Sequence, residues 1–244
     1  MSGVVAPDIA LLAGGVAAGA VTQRVTGIGF ALVASPLLVL AAGPFQGVVL
    51  SNMLGLLVSL AVLAATWRDV EPRRALLLVV PALATVPVGA AVAKRVSSPL
   101  LMVLVGALVL LALLTVQLTP RARVLRGAPG TILAGGASGF MNVTAGVGGP
   151  AIVLYAVSTG WDHRRFVATF QLYSLVVNLT SLLAKGGLRV SHTMLLTSVA
   201  ALAAGLAGGH LLSRRIGGER ARQAVMALAV VGATAILLKG ALAW

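Results

Sequence analysis

Apolar residues fall in eight long stretches along this chain, separated by short connections that hold most of the charge. A helix that crosses a bilayer needs about 20 mainly apolar residues. Six stretches have roughly that length: Phe45–Thr66, Ala75–Ala93, Pro99–Leu118, Phe166–Ala184, Thr193–Leu212 and Ala224–Leu242. Two, Ile9–Ala42 and Gly130–Thr159, are too long for one span. The connections leave no room for a soluble domain. The pattern predicts an all-α integral membrane protein folded as one compact bundle.

The pattern also repeats, with residues 119 positions apart matching. Gly27 and Gly29 pair with Gly146 and Gly148, Gly89 with Gly208, and Arg95 with Arg214. The register holds without a gap from Gly27 to Arg95, which marks an internal duplication. Each half is then one overlong Gly-rich segment followed by three plain spans. The chain divides into a first membrane repeat (1–118), a basic linker (119–129) and a second membrane repeat (130–244).

The overlong segments carry polar residues and then glycines in mid-course. Thr22, Gln23, Arg24 and Thr26 precede Gly27 and Gly29; Asn142 and Thr144 precede Gly146, Gly148, Gly149 and Pro150. Glycine inside a helix costs about 1 kcal/mol relative to alanine, so each cluster predicts a break. A break at membrane depth survives only where protein or water covers it. Interrupted segments at matching positions of two repeats point to a transport site. The second half-helices are expected to begin near Gly29 and Pro150, since proline suits a helix's first turn. Their free N–H groups and positive dipoles would form an anion site without a metal.

Composition narrows the class further. The 244 residues are 59% hydrophobic and 9% charged, which excludes a soluble fold and a disordered one. Lys and Arg number 18 against 5 Asp and Glu, for a net charge of +13. On a soluble chain that excess would suggest nucleic acid. Here the basic residues lie between apolar stretches and read as topology signals. If every stretch crossed once, the two sides would receive nine and eight basic residues. If both overlong segments fold back, they receive twelve and five, which restores a positive-inside bias. The second arrangement makes the halves inverted-topology repeats and places both termini outside the cytoplasm. The first eight residues lack Lys and Arg and do not resemble a secretory signal.

Arg24 belongs to neither side. It is either the counter-charge of an anionic substrate or a residue brought to water at a re-entrant tip. Asn52 and Gln171 occupy equivalent repeat positions, as do Ser59 and Asn178; all four offer neutral donors to an oxyanion or bonds between helices. Tyr155 and Tyr173 read mainly as interfacial, His210 as sitting at the water interface beside Arg214 and Arg215, and His163 and His192 as solvated. Asp8, Asp69, Glu71, Asp162 and Glu219 all lie at segment ends or in loops, which argues against a buried carboxylate relay. With no cysteine, no Cys/His cluster, no P-loop and no H-E-x-x-H, neither a cofactor, a metal nor an enzyme is expected.

The runs TGIGFALVASPLL (Thr26–Leu38) and SGF followed by AGVGGPAIVLY (Ala145–Tyr155) resemble the sulfite exporter TauE/SafE family, also called the toluene sulfonate uptake permease family. The likeness extends over nearly the whole chain. It implies a multi-pass transporter of the bacterial cytoplasmic membrane that moves small, mostly sulfur-containing anions. Phe30 and Ala31 stand where the second half has Gly149 and Pro150, so the two half-sites are not equivalent. The expected substrate-binding set is Arg24, Gly27, Gly29, Asn52, Asn142, Gly146, Gly148, Gly149, Pro150 and Gln171. The expected partners are a small anion and the lipid bilayer, with no nucleic acid; the oligomeric state, a homo-oligomer included, stays open. A gated anion channel is the alternative function, with a membrane-embedded enzyme behind it.

Overall fold

The computed structural model describes residues 8–27, 29–118, 125–187, 190–212 and 218–243. Among them the chain folds into ten α-helices: α1 (Ile9–Thr26), α2 (Phe30–Ala42), α3 (Pro44–Thr66), α4 (Pro72–Arg95), α5 (Ser98–Leu118), α6 (Gly127–Ala145), α7 (Gly149–Thr159), α8 (His163–Lys185), α9 (His192–Leu212) and α10 (Gly218–Leu242). A 3₁₀ turn, Trp67–Asp69, joins α3 to α4. The eight apolar stretches become ten helices because each overlong one breaks in two, at the expected glycines. The helices also keep the 119-residue register: α3 and α8 cover equivalent residues from end to end. α5 and α10 follow it past Arg95, where matching residues fade.

Both breaks share one device. Gly27 (φ 82°) and Gly146 (φ 72°) end α1 and α6 in the left-handed conformation, which a side chain disfavours. The chain then reverses. The Asp8 N–H donates to the Ala41 carbonyl at 3.2 Å, so α1 begins beside the end of α2. Gly15 lies against Leu37 and Gly19 against Ala34 farther along this hairpin. In the second hairpin Arg126 Nε donates to the Ser158 carbonyl (3.1 Å), Thr131 meets the Tyr155 hydroxyl (3.2 Å), and Ser138 Oγ donates to the Gly148 carbonyl (2.7 Å). Each broken segment therefore returns to the side on which it starts.

Longer helices surround the hairpins in definite directions. The Glu71 N–H donates to Thr169 Oγ1 at 2.9 Å, while Gly55 faces Asn178, so α3 and α8 run antiparallel. α5 and α10 are antiparallel too, with Gly240 against Met102 and Gly106 against Ala233. α1 lies parallel to α9, with Gly205 against Ala17 and Gly209 against Val21. α6 lies parallel to α4 in the same manner, with Gly135 against Leu78 and Gly139 against Ala82. Lipid offers no hydrophobic drive for such contacts, so small residues that admit close backbone approach supply it through packing. Thr85 adds an interhelical bond to the Gly136 carbonyl at 2.8 Å.

The helices exceed the apolar stretches at several ends. α6 begins at Gly127, inside the predicted linker, and α10 at Gly218, ahead of its apolar run; α8 continues to Lys185. Hydropathy marks only the part of a helix suited to hydrocarbon, whereas polar and charged turns extend it. Linker residues 119–124, Arg214, Arg215 and the side chain of His210 lie outside the described residues. Near one end of the bundle Arg164 pairs with Asp69 (2.8 Å), and Glu71 pairs with Arg74 (3.0 Å) and Arg165 (3.4 Å). These bonds tie the α3–α4 connection to the start of α8.

The surface is inverted relative to a soluble protein. Leu76, Leu183 and Leu196 face outward, while Asn52, Gln171 and Asn178 are buried. Five of the described helices are long and apolar enough to cross a membrane.

Candidate functional site

The tips of the two hairpins meet near the α3–α8 pair and border a partly open cavity of about 50 Å³. Gln23 and Phe30 come from the first break, and Asn142, Gly146, Gly148, Gly149 and Pro150 from the second. Ser51, Gly55 and Ser59 come from α3; Phe170, Gln171, Ser174 and Asn178 come from α8. Many of these are repeat partners, among them Gln23 with Asn142, Gly55 with Ser174 and Ser59 with Asn178. The cavity thus draws its lining from matching positions of both halves. None of its described lining side chains carries a charge.

The two breaks do different things at this site. At the first, Gln23 is spent on the backbone: Nε2 donates to the Gly27 carbonyl at 2.6 Å, and Oε1 accepts from the Phe30 N–H at 3.2 Å. Gln171 Nε2 reaches the same Gly27 carbonyl at 3.2 Å. The first N–H of α2 is therefore already satisfied. At the second break Asn142 Nδ2 donates to Asn178 Oδ1 at 3.0 Å, and its own Oδ1 has no partner among the described residues. Among the described residues no side chain caps the start of α7, and Pro150 stands in its first turn. The second helix start is the open one. The glycines let this break pack closely: a Cβ on Gly148 would fall 2.7 Å from Ser138 Oγ, and one on Gly146 would fall 2.8 Å from Ser35 Oγ.

Most of the expected site residues converge here. Asn142, Gly146, Gly148, Gly149, Pro150 and Gln171 line the cavity, and Gly27 is held against Gln171. Gly29 caps the start of α2. Asn52 is buried just behind, donating to the Asn142 carbonyl at 3.5 Å. Arg24 is placed elsewhere. It is exposed and lines a larger, neighbouring cavity with Gly27, Val62, Thr66 and Leu206. Gln23 lines both cavities. Ser51, Ser174 and Gln23 are not in the expected set, although all three stand at repeat positions whose partners, Phe170, Gly55 and Asn142, also line the cavity. Tyr173, expected at an interface, is instead buried.

An apolar exterior, long apolar helices and a cavity with buried polar residues between two helical hairpins fit a multi-pass membrane protein. The chain belongs to the sulfite exporter TauE/SafE family, whose model matches residues 11–236. That is a family of transporters rather than enzymes, and this chain is a multi-pass membrane transporter of the anion-exporter kind. No curated protein and no solved structure gives a significant match.

Proposed function

We propose that the protein carries a small sulfur-containing oxyanion, sulfite or a short sulfonate, out across the bacterial cytoplasmic membrane. The observation that carries this reading is the uncapped start of α7 opening into a cavity lined only by amides, hydroxyls, backbone and apolar groups. Backbone N–H groups and the helix dipole favour negative charge there. The hydroxyls of Ser51, Ser59 and Ser174 and the second N–H of the Asn142 and Gln171 amides complete a neutral cradle, so that no fixed ammonium or guanidinium traps the anion. The size favours a compact ligand. A water needs about 10–15 Å³, so 50 Å³ suits an oxyanion of four or five heavy atoms.

In this reading the two halves are inverted repeats. The antiparallel pairs α3–α8 and α5–α10 support it, since equivalent helices then enter from opposite faces. Both hairpins return to their own side, which gives the twelve-to-five division of basic residues. The cytoplasmic side is the one carrying Arg68, Arg126 and Arg164, and both termini lie outside. Access alternates as one hairpin, with the helix packed parallel to it, rocks against the other around the fixed cavity. Arg24 faces the cytoplasmic vestibule, where it gathers anions without binding them in the cavity. An anion leaving down the membrane potential gains about 2.3 kcal/mol per charge per 100 mV, which drives export without a coupling carboxylate.

The test is flux through the purified protein in liposomes, comparing sulfite, short sulfonates and carboxylates with and without an imposed potential. Saturable sulfite flux that responds to the potential is expected. Flux of a neutral or cationic solute with no anion moved overturns the reading, and anion flux that never saturates favours a channel.

A further inference from the structure

Polar residues recur along α8 at Gln171, Ser174, Asn178, Ser181 and Lys185. Spacings of three and four stack side chains on one face of a helix. All five side chains are buried, and Lys185 is only 6% exposed. The first three line the central cavity. The last two continue the stripe toward the end of α8, Lys185 standing about 10 Å along the axis from Asn178 at 1.5 Å per residue. Helical side chains lean toward the N-terminus, so the lysine stem lies back over the Ser181 turn.

Ser181 Oγ and Lys185 Nζ have no hydrogen-bond partner among the described residues. No described carboxylate is left to neutralise the lysine. Asp69 and Glu71 pair with arginines, and Asp8 and Asp162 cap α1 and α8 from outside. A lysine in the last turn of a helix is ordinary when exposed, as Lys94 is in α4, because it meets the dipole and water together. Burial removes the water. Nor does the shared fold require polarity here: the repeat partners of Ser181 and Lys185 are Val62 and Thr66, and the Thr66 hydroxyl merely bonds the Val62 carbonyl at 2.9 Å.

We propose that Lys185, with Ser181, forms a second anion station between the central cavity and the membrane face where α8 ends. The antiparallel α3 places Thr66 and the Arg24 cavity at the opposite end, so the two cations flank the central site from opposite sides. A buried ammonium without an acceptor is unfavourable, and the transported anion supplies the counter-charge as it passes. Ser181 donates a hydrogen bond to the same anion. This inference rests on the transport function proposed above.

The test compares sulfite efflux and thermal stability for the reconstituted full chain, Lys185→Met and Lys185→Arg. Removing a truly unpaired buried cation leaves a fold as stable as before, or more so. The expected result is at least a tenfold lower maximal flux in Lys185→Met with a Tm no lower than wild type, and flux within threefold of wild type in Lys185→Arg. Wild-type flux in Lys185→Met overturns the proposal. So does lost flux with a lowered Tm, which marks a structural lysine, and so does a Lys185→Arg variant no better than Lys185→Met. A wild-type protein that moves no sulfite refutes the transport reading itself, before any variant is compared.

Discussion

Replacing Gly146 with alanine loads the second hinge in two ways that the structure keeps separate. The first is conformational. Gly146 ends α6 at φ 72°, and a left-handed residue with a side chain costs about 1–2 kcal/mol. The second is steric. The new Cβ would stand 2.8 Å from Ser35 Oγ and 3.0 Å from Ser51 Oγ. Ser35 is fully buried and its hydroxyl donates to the Ala145 carbonyl, so pushing it away strands a buried group at about 1–3 kcal/mol. Together these predict a loss of about 2–5 kcal/mol, or roughly 4–20 °C in Tm at about 2–4 °C per kcal/mol. Gly14→Ala is the control: it sits in the exposed interior of α1 with nothing within 4 Å of the added Cβ, and it should gain up to about 1 kcal/mol. The assay is a thermal melt of each purified variant in one detergent, paired with sulfite flux. Because the hinge positions the start of α7, Gly146→Ala should lose flux as well as stability. A Gly146→Ala protein as stable and active as Gly14→Ala would refute the account of the hinge.

Other outcomes follow from the same geometry. Asn142→Leu and Gln171→Leu should each reduce sulfite flux by about 10- to 100-fold, the worth of one hydrogen bond to a charged group, while carboxylate competition changes less; unchanged sulfite kinetics would remove both from the site. Arg24→Ala should raise the half-saturating sulfite concentration from the cytoplasmic side and leave the maximal rate close to wild type, and a collapsed maximal rate would move Arg24 into the binding site itself. Arg164→Ala breaks an exposed ion pair with Asp69 and should cost under about 1 kcal/mol, measured by the same melt. A reporter active only in the cytoplasm should stay silent when fused to the C-terminus, and activity there would contradict the inverted arrangement.

Much of this architecture is legible in the chain because its causes are local. Hydropathy marks Phe45–Thr66 and Ala75–Ala93 as spans, and α3 and α4 enclose them. The glycines after Thr26 and Ala145 mark the breaks, because a helix that must reverse needs a residue free of a Cβ. The duplication then brings Asn142 and Gln171 into one site before any contact is known. What the pattern hides is tertiary. Nothing local shows that Gln23 spends its amide on Gly27 and Phe30 while its repeat partner Asn142 keeps an oxygen unpaired among the described residues. The sequence leaves Arg24 between a substrate contact and a water-exposed tip, and only the hairpin geometry turns it out toward the neighbouring cavity. Lys185 is hidden for the opposite reason: it follows the apolar run Phe166–Ala184 and counts as a loop charge. Only its three-and-four spacing from Gln171 ties it to the buried face.

The central claim is that a neutral cavity at the start of α7 carries a small oxyanion through the membrane. Sulfite efflux from liposomes containing the purified wild-type protein, measured against concentration at two imposed potentials, tests it most directly. The account predicts a saturable rate that rises as the potential favours anion exit and falls when a competing short sulfonate is added. Sulfite release no faster than from empty liposomes at both potentials would contradict it.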